Sequence, residues 1–395
     1  MKFFLYIIIV FLFLLYPTSS SGVIRDSIND VIFDWTIVSL LVFIVLIFYG
    51  KLDRKNTIIG SLIIFYLTIM TLVSNRSDSY STFSIARFAP VCLFLLLSST
   101  KIDYKISMNK LFPLFDIVII TIIVFNILII FDNNIVKHFI INNYSQFYES
   151  ATQNMFIKKR PVFTFGVYTF ASYFYTILFL LCTYSYEITK KNKYRFYYFI
   201  LLIFNILLAS NFSILSSLFM IFVIFRTSIK NRNSKEIMFF SLFISIIIVW
   251  LVNNKELIGY YQESLFSLEN GFIGRYSDSG VLMINNEYLK THPNIGFNII
   301  RNKDLTYTDS GYFVVRLMGG WILLIPFYYL LYRFIKNNFR SKYLTFLIIT
   351  LVFETVIPVT TYIKFIYAMI FCIVYLSSLS SHELIKFKRN DYGRS

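Results

Sequence analysis

Hydrophobic residues in this chain come in runs mostly of about 15 to 22, with extremes of about 14 and about 25, separated by short charged clusters, which is the period of a bilayer rather than of a globular core. The runs fall at about 3 to 16, 32 to 49, 57 to 74, 84 to 99, 111 to 131, 162 to 186, 196 to 210, 212 to 225, 237 to 252, 312 to 332, 343 to 360 and 365 to 380. At a rise of about 1.5 Å per residue, each is long enough to approach or cross the apolar slab as one helix. The pattern therefore predicts an all-α polytopic membrane protein with about twelve transmembrane helices, forming a single membrane domain over residues 1–395. The first run, FFLYIIIVFLFLLY, follows Lys2 and precedes PTSSSG, which also describes a signal peptide; its removal would leave eleven spans. The pair at 196 to 210 and 212 to 225 is joined by the short turn ASNFS, so a re-entrant hairpin is an alternative to two crossings there.

Charge gives the runs a direction. With the N-terminus inside, 23 of the 37 Lys and Arg fall in the inner segments: Lys2, 51 to 56, 100 to 110, 187 to 195, 226 to 236, 333 to 342 and the tail. Thirteen fall outside, spread over segments roughly twice as long, and Arg316 lies within a span. The net charge of +16, which in a soluble protein would suggest nucleic acid, is thus mostly membrane topology, and no nucleic-acid partner is expected. Composition agrees: 57% hydrophobic, only 15% charged and a mean hydropathy of +0.66 exclude a disordered chain and a soluble α/β enzyme. Cys92, Cys182 and Cys372 all lie inside apolar runs, which offers neither a disulfide framework nor zinc-ligand spacing.

Two outer segments break the rhythm of short connections, one over 132–161 and one over 253–311, and long loops of this kind carry function or disorder. The second runs through LENGFIGRYSDSG and THPNIGFNIIRN to TDSGYF, directly before a helix. Lys158, Lys159 and Arg160 form an outward basic cluster, where the positive-inside rule disfavours it. They suit capture of a phosphate or diphosphate, or alternatively a solvated loop end touching anionic headgroups. Arg275 sits among glycines and serines that allow backbone N–H groups to join a guanidinium around an anion, or else it is a solvated loop arginine. His292, in THPNIGF, has Pro293 and Gly296 to fix its turn and an imidazole able to take a proton from a sugar hydroxyl; a loop histidine bonded to backbone is the alternative. His138 and His382 lie in plainer surroundings.

Asp309 and Ser310 precede Gly311 and Tyr312 at a helix start, which is first an N-cap signature, though a carboxylate there also suits assisting a base. Arg316 and Glu354 are ionisable groups within spans, counted at about 6 Å and about 9 Å from the outer ends of their runs. Similar depth predicts a salt bridge, either a lock between helices or part of a substrate site. Asp116 and Arg87 lie nearer span ends and can snorkel. Neither long outer loop contains a Walker loop, GxGxxG, HExxH or a DxD-like carboxylate pair, so no nucleotide donor, metal or other cofactor is expected.

Taken in order, Gly274 and Arg275, then His292, Pro293 and Gly296, then Asp309, Ser310, Gly311 and Tyr312, then Met318, Gly319 and Gly320 resemble the O-antigen and capsule polymerases of the Wzy type, which share a superfamily with the O-antigen ligases. The stretch RPVFTFGVYTFASYF, opening with Arg160, is similar to that family's Arg at a helix start after the other outer loop. Phe297 stands where the family has a second Gly, and the Trp that often follows its Gly-Arg is missing. The resemblance implies a multi-pass enzyme of the bacterial cytoplasmic membrane. It would join undecaprenyl-diphosphate-linked oligosaccharides by metal-independent glycosyl transfer at the outer face, beside membrane lipids, a flippase and a chain-length regulator. It also implies roles: His292 as base with Asp309 beside it, and Arg160, Lys159 and Arg275 on the diphosphate. A ligase of the same superfamily is the nearest rival. A lipid-linked oligosaccharide flippase should instead concentrate charge inside the bundle and keep its loops short, and a membrane acyltransferase should carry a catalytic His among its early helices.

Overall fold

The computed structural model describes residues 2–16, 49–73, 82–102, 104–144, 156–165, 167–230 and 310–392, with isolated positions between 40 and 45 and between 238 and 294. These residues form eleven α-helices and one two-stranded ribbon. In chain order the elements are α1 (Lys2–Leu15), β1 (Gly50–Leu52), α2 (Arg54–Val73), α3 (Thr82–Ser98), β2 (Thr100–Ile102), α4 (Met108–Ile130), α5 (Asn134–Tyr144), α6 (Tyr168–Thr189), α7 (Asn192–Leu207), α8 (Asn211–Lys230), α9 (Gly311–Phe339), α10 (Tyr343–Glu354) and α11 (Ile363–Tyr392). Short 3-10 turns at Phe163–Phe165, Arg340–Lys342 and Val359–Thr361 link some of them.

Two helices are enclosed on every side. All residues over 169–185 of α6 and over 363–379 of α11 are buried, which is what a helix apolar around its whole circumference must do. α1 packs along α11: Phe13 stacks on Phe371 with centroids 5.5 Å apart, and the Tyr6 hydroxyl donates to the Phe371 carbonyl at 3.2 Å. The peripheral helices instead turn apolar stripes outward at helical spacing, with Ile58, Leu62, Phe65 and Ile69 on α2, Ile117, Ile120, Val124 and Ile127 on α4, and Leu215, Leu218, Phe222 and Phe225 on α8. Stripes of this size, repeated on several helices, are surfaces for lipid and not for water. The chain is a helical membrane protein.

The count of crossings differs from the twelve expected. Among the described residues, four helical segments have the length and composition to span a bilayer, at Met108–Ile130, Asn211–Ile229, Gly311–Phe339 and Ile363–Ser380, the third of them interrupted at Gly319 and Gly320. The run at 343 to 360 is the clearest correction. Its α-helix stops at Glu354 after 12 residues, about 18 Å, and the chain then passes through a stretch over 356–362 that is buried, includes Pro358 and holds only a short 3-10 turn. The pair at 196 to 210 and 212 to 225 forms two helices, α7 and α8. Their turn is tied by Asn205, whose Nδ2 donates to the Ser213 carbonyl at 2.9 Å and to the Ser216 and Ser217 hydroxyls. Most of 32 to 49 and of 237 to 252 lies outside the described residues.

The segments expected inside come together at one end. β1 pairs antiparallel with β2, Asp53 meets Arg333 at 3.4 Å, the Ile102 N–H donates to Asn338 Oδ1 at 2.7 Å, and the Ile106 N–H donates to Ser378 Oγ at 2.8 Å. Asp116 pairs with Lys193 at this end. The opposite end gathers Leu14, the turn after Arg160, the start of α9 and the α10–α11 connection.

Candidate functional site

The opposite end is organised by a break in α9. Gly319 and Gly320 leave helical geometry, and Gly320 takes φ 60°, ψ −153°, a region essentially closed to residues with a Cβ. The break reverses the chain. A continuous helix would put Tyr312 and Tyr328 about 24 Å apart, whereas their ring centroids are 4.7 Å apart. Residues 311–318 and 321–339 are therefore the arms of a helical hairpin, and the Arg316 guanidinium lies 4.6 Å from the Trp321 ring across its tip.

The start of the second arm presents backbone N–H groups that have no partner within the helix. Two of them are met from the long outer loop. The Trp321 N–H donates to the Pro293 carbonyl and the Ile322 N–H to the Asn294 carbonyl, each at 3.2 Å. The Pro293 turn is thus seated on the Gly319 and Gly320 break, although the two are separated by more than twenty residues of sequence. His292 itself, Arg275 and Asp309 lie outside the described residues.

The first arm starts against Glu354. The Ser310 hydroxyl donates to the Glu354 carbonyl at 3.3 Å, and the Tyr312 hydroxyl donates to the Leu351 carbonyl at 3.0 Å. The Glu354 side chain is fully buried. Its Oε2 accepts from the Tyr328 hydroxyl and its Oε1 from the Thr360 N–H, both at 2.7 Å. That second bond satisfies backbone in the buried connection over 356–362, where no water would be available to do so.

The structure does not bring Arg316 and Glu354 together as the depth count predicted. The count assumed that α9 runs straight inward, and the reversal at Gly320 places Arg316 at the hairpin tip beside Trp321 while Glu354 meets Tyr328 in the second arm.

Arg160, Lys158 and Lys159 are close in sequence but divided in space. Lys158 and Lys159 are exposed, whereas Arg160 is 4% exposed with its guanidinium 5.1 Å from the Tyr168 ring. The backbone after Arg160 is held by the Tyr175 hydroxyl, which donates to the Pro161 carbonyl at 2.5 Å and accepts from Asn126 Nδ2 at 2.7 Å.

Lys364, which the apolar pattern leaves between the runs at 343 to 360 and 365 to 380, also belongs to this end. It is fully buried at the start of α11, and its ammonium donates to the Thr164 carbonyl at 2.8 Å, the Thr164 hydroxyl at 3.2 Å and the Leu14 carbonyl at 3.4 Å. Its one sequence signal is a Lys between apolar residues on both sides, in TTYIKFIYAMIF.

The arrangement brings a buried arginine, a buried lysine and a buried carboxylate to one end of the bundle, beside a hairpin tip that carries a further arginine. Of these, Arg160, held next to irregular backbone in a poorly hydrated setting, suits binding of an anion, whereas the donors of Lys364 are taken up by Thr164 and Leu14. Among the described residues no group of three or more His, Cys, Asp and Glu is placed to hold a metal ion. Compared with known proteins, the chain matches no family model, and neither a curated protein nor a solved structure is similar to it.

Proposed function

We propose that this chain polymerises lipid-linked glycan repeat units at the outer face of the bacterial cytoplasmic membrane, taking undecaprenyl-diphosphate oligosaccharides as donor and acceptor. One observation carries the reading. The turn of Pro293 and Asn294 belongs to a motif piece that prompted the family resemblance, and it is bonded to Trp321 and Ile322 directly after the break at Gly319 and Gly320, another such piece, which ends the arm that opens at Ser310, Gly311 and Tyr312.

The chemistry asks for little beyond these residues. The acceptor hydroxyl oxygen attacks the anomeric carbon of the donor sugar, the bond from that carbon to the lipid diphosphate breaks, and the hydroxyl proton passes to His292, with Asp309 assisting. The diphosphate leaves with the bonding pair, and Arg160 and Arg275, with Lys159 at the rim, balance its charge. A flippase and a chain-length regulator would work upstream and alongside.

The test is to delete the gene and separate the host's surface and lipid-linked glycans by size, complementing with wild type, His292→Ala and Arg275→Ala at matched protein levels. Polymerase activity predicts that the ladder collapses to a single displayed repeat unit and that neither variant restores it. Accumulation of long lipid-linked chains would replace this reading with a ligase, and repeat units trapped on the inner face would replace it with a flippase.

A further inference from the structure

We infer that Lys364 is a positioning residue for Arg160: it clamps the turn that places the arginine at the outer end of α6. This rests on the proposed role of Arg160 as a ligand of the donor diphosphate.

Between Arg160 and α6 the chain makes a succession of tight turns instead of a helix. The Val162 N–H donates to the Arg160 carbonyl, the Phe165 N–H to the Val162 carbonyl and the Val167 N–H to the Phe165 carbonyl. Within them Phe163 adopts φ 50°, in the left-handed region where a bulky side chain is strained. Such a conformation persists only where its surroundings hold it.

The middle residue of the turn, Thr164, supplies the hold. Its carbonyl and its hydroxyl both accept from the Lys364 ammonium, and the hydroxyl also donates to the Leu14 carbonyl at the end of α1. Lys364 reaches that same Leu14 carbonyl, and its ammonium stands 4.8 Å from the Phe165 ring. An ammonium carries three donors, and three oxygens from two other segments converge on this one. A methionine would fill similar volume but leave the Thr164 carbonyl, buried in the bundle, without its donor. With the turn released, Phe163 relaxes out of its strained conformation and Arg160, only three residues away, loses its fixed place over Tyr168.

The experiment uses the full-length chain in detergent with lipid-linked repeat units extracted from the deletion strain, and it compares Lys364→Met, Arg160→Ala and the double variant. Hydrogen exchange over residues 160–168 should quicken at least about tenfold in Lys364→Met while the 311–339 hairpin keeps its wild-type protection. The donor KM should rise as it does in Arg160→Ala, with kcat less affected, and the double variant should be no worse than Arg160→Ala alone. Unchanged exchange over 160–168, or single effects that multiply in the double variant, would overturn the inference. Should Lys364→Met fail to accumulate, Thr164→Val, which removes the hydroxyl that accepts from Lys364 and donates to Leu14 but keeps the Thr164 carbonyl, should show the same pattern at smaller amplitude, and unchanged exchange there would count against the clamp. If Arg160→Ala leaves the donor KM unchanged, the diphosphate role of Arg160 falls, and the exchange measurement alone decides whether Lys364 holds the turn.

Discussion

Gly311 lies against the buried carboxylate of Glu354 so closely that a Cβ built on it would stand 1.8 Å from Oε2 and 3.0 Å from the Cα of Pro358. The carboxylate cannot simply swing aside, because Tyr328 and Thr360 each hold one of its oxygens. Gly311→Ala should therefore destabilise the chain by about 1–3 kcal/mol, the range for forcing a methyl group into a packed site. Thermal unfolding of the purified variant in detergent measures this, and a melting temperature equal to wild type would show that the first arm does not sit on Glu354.

Glu354 joins three pieces of backbone, and its charge is not what the neighbours require. Glutamine in its place keeps an oxygen for the Thr360 N–H and a polar group for the Tyr328 hydroxyl. Leucine strands both, at about 1–3 kcal/mol for each buried group left unsatisfied. Glu354→Gln should accumulate and elute as wild type does, whereas Glu354→Leu should lose folded protein. The reverse order in size-exclusion profiles would contradict the bonding seen here.

Across the hairpin tip, Arg316 and Trp321 face each other at 4.6 Å, and neither is buried. A cation over an indole is worth about 0.5–1 kcal/mol at an exposed site and about 2 when desolvated. Arg316→Ala and Trp321→Leu should each lower stability by an amount in this range, and the double variant should fall by less than their sum. Strict additivity in the cycle would remove the contact as a stabilising element. Because Glu354 is held by Tyr328 and Thr360, Arg316→Ala should leave Glu354→Gln as benign as it is in the parent.

Much of the bundle was legible because lipid-length apolar runs have few alternatives. α4, α6, α8 and α11 each fall on a run, and the segments rich in Lys and Arg do meet at one end. What a hydrophobic run does not report is where a helix gives way to buried irregular backbone, since both are apolar. For that reason the apolar run at 343 to 360 predicts helix beyond Glu354, and Lys364 falls between that run and the next instead of inside a span. The paired Gly319 and Gly320 were visible as small residues, but their consequence was not, because reversal depends on a positive φ and not on composition. The depth estimate for Arg316 failed at the same point. Conversely, the seating of the Pro293 turn on that break uses backbone carbonyls, which no side-chain pattern could announce.

The basic cluster before α6 offers the sharpest separation of roles, since burial divides what sequence places side by side. Arg160 is enclosed, with its guanidinium over the Tyr168 ring, while Lys158 and Lys159 are exposed, where salt screens their charge. If Arg160 holds the donor diphosphate as proposed, loss of that charge-assisted contact from a desolvated arginine should reduce polymerisation by roughly ten- to a hundred-fold. Arg160→Lys should recover little of it, because an ammonium offers neither the planar fork nor the ring stack. Lys159→Ala should change the glycan ladder little at physiological salt and should lower the donor association rate only when salt is dilute. Quantified ladder lengths from the three variants at equal protein level provide the check. A Lys159→Ala defect as large as that of Arg160→Ala would overturn the role proposed for the buried guanidinium and shift it to diffuse charge at the exposed rim.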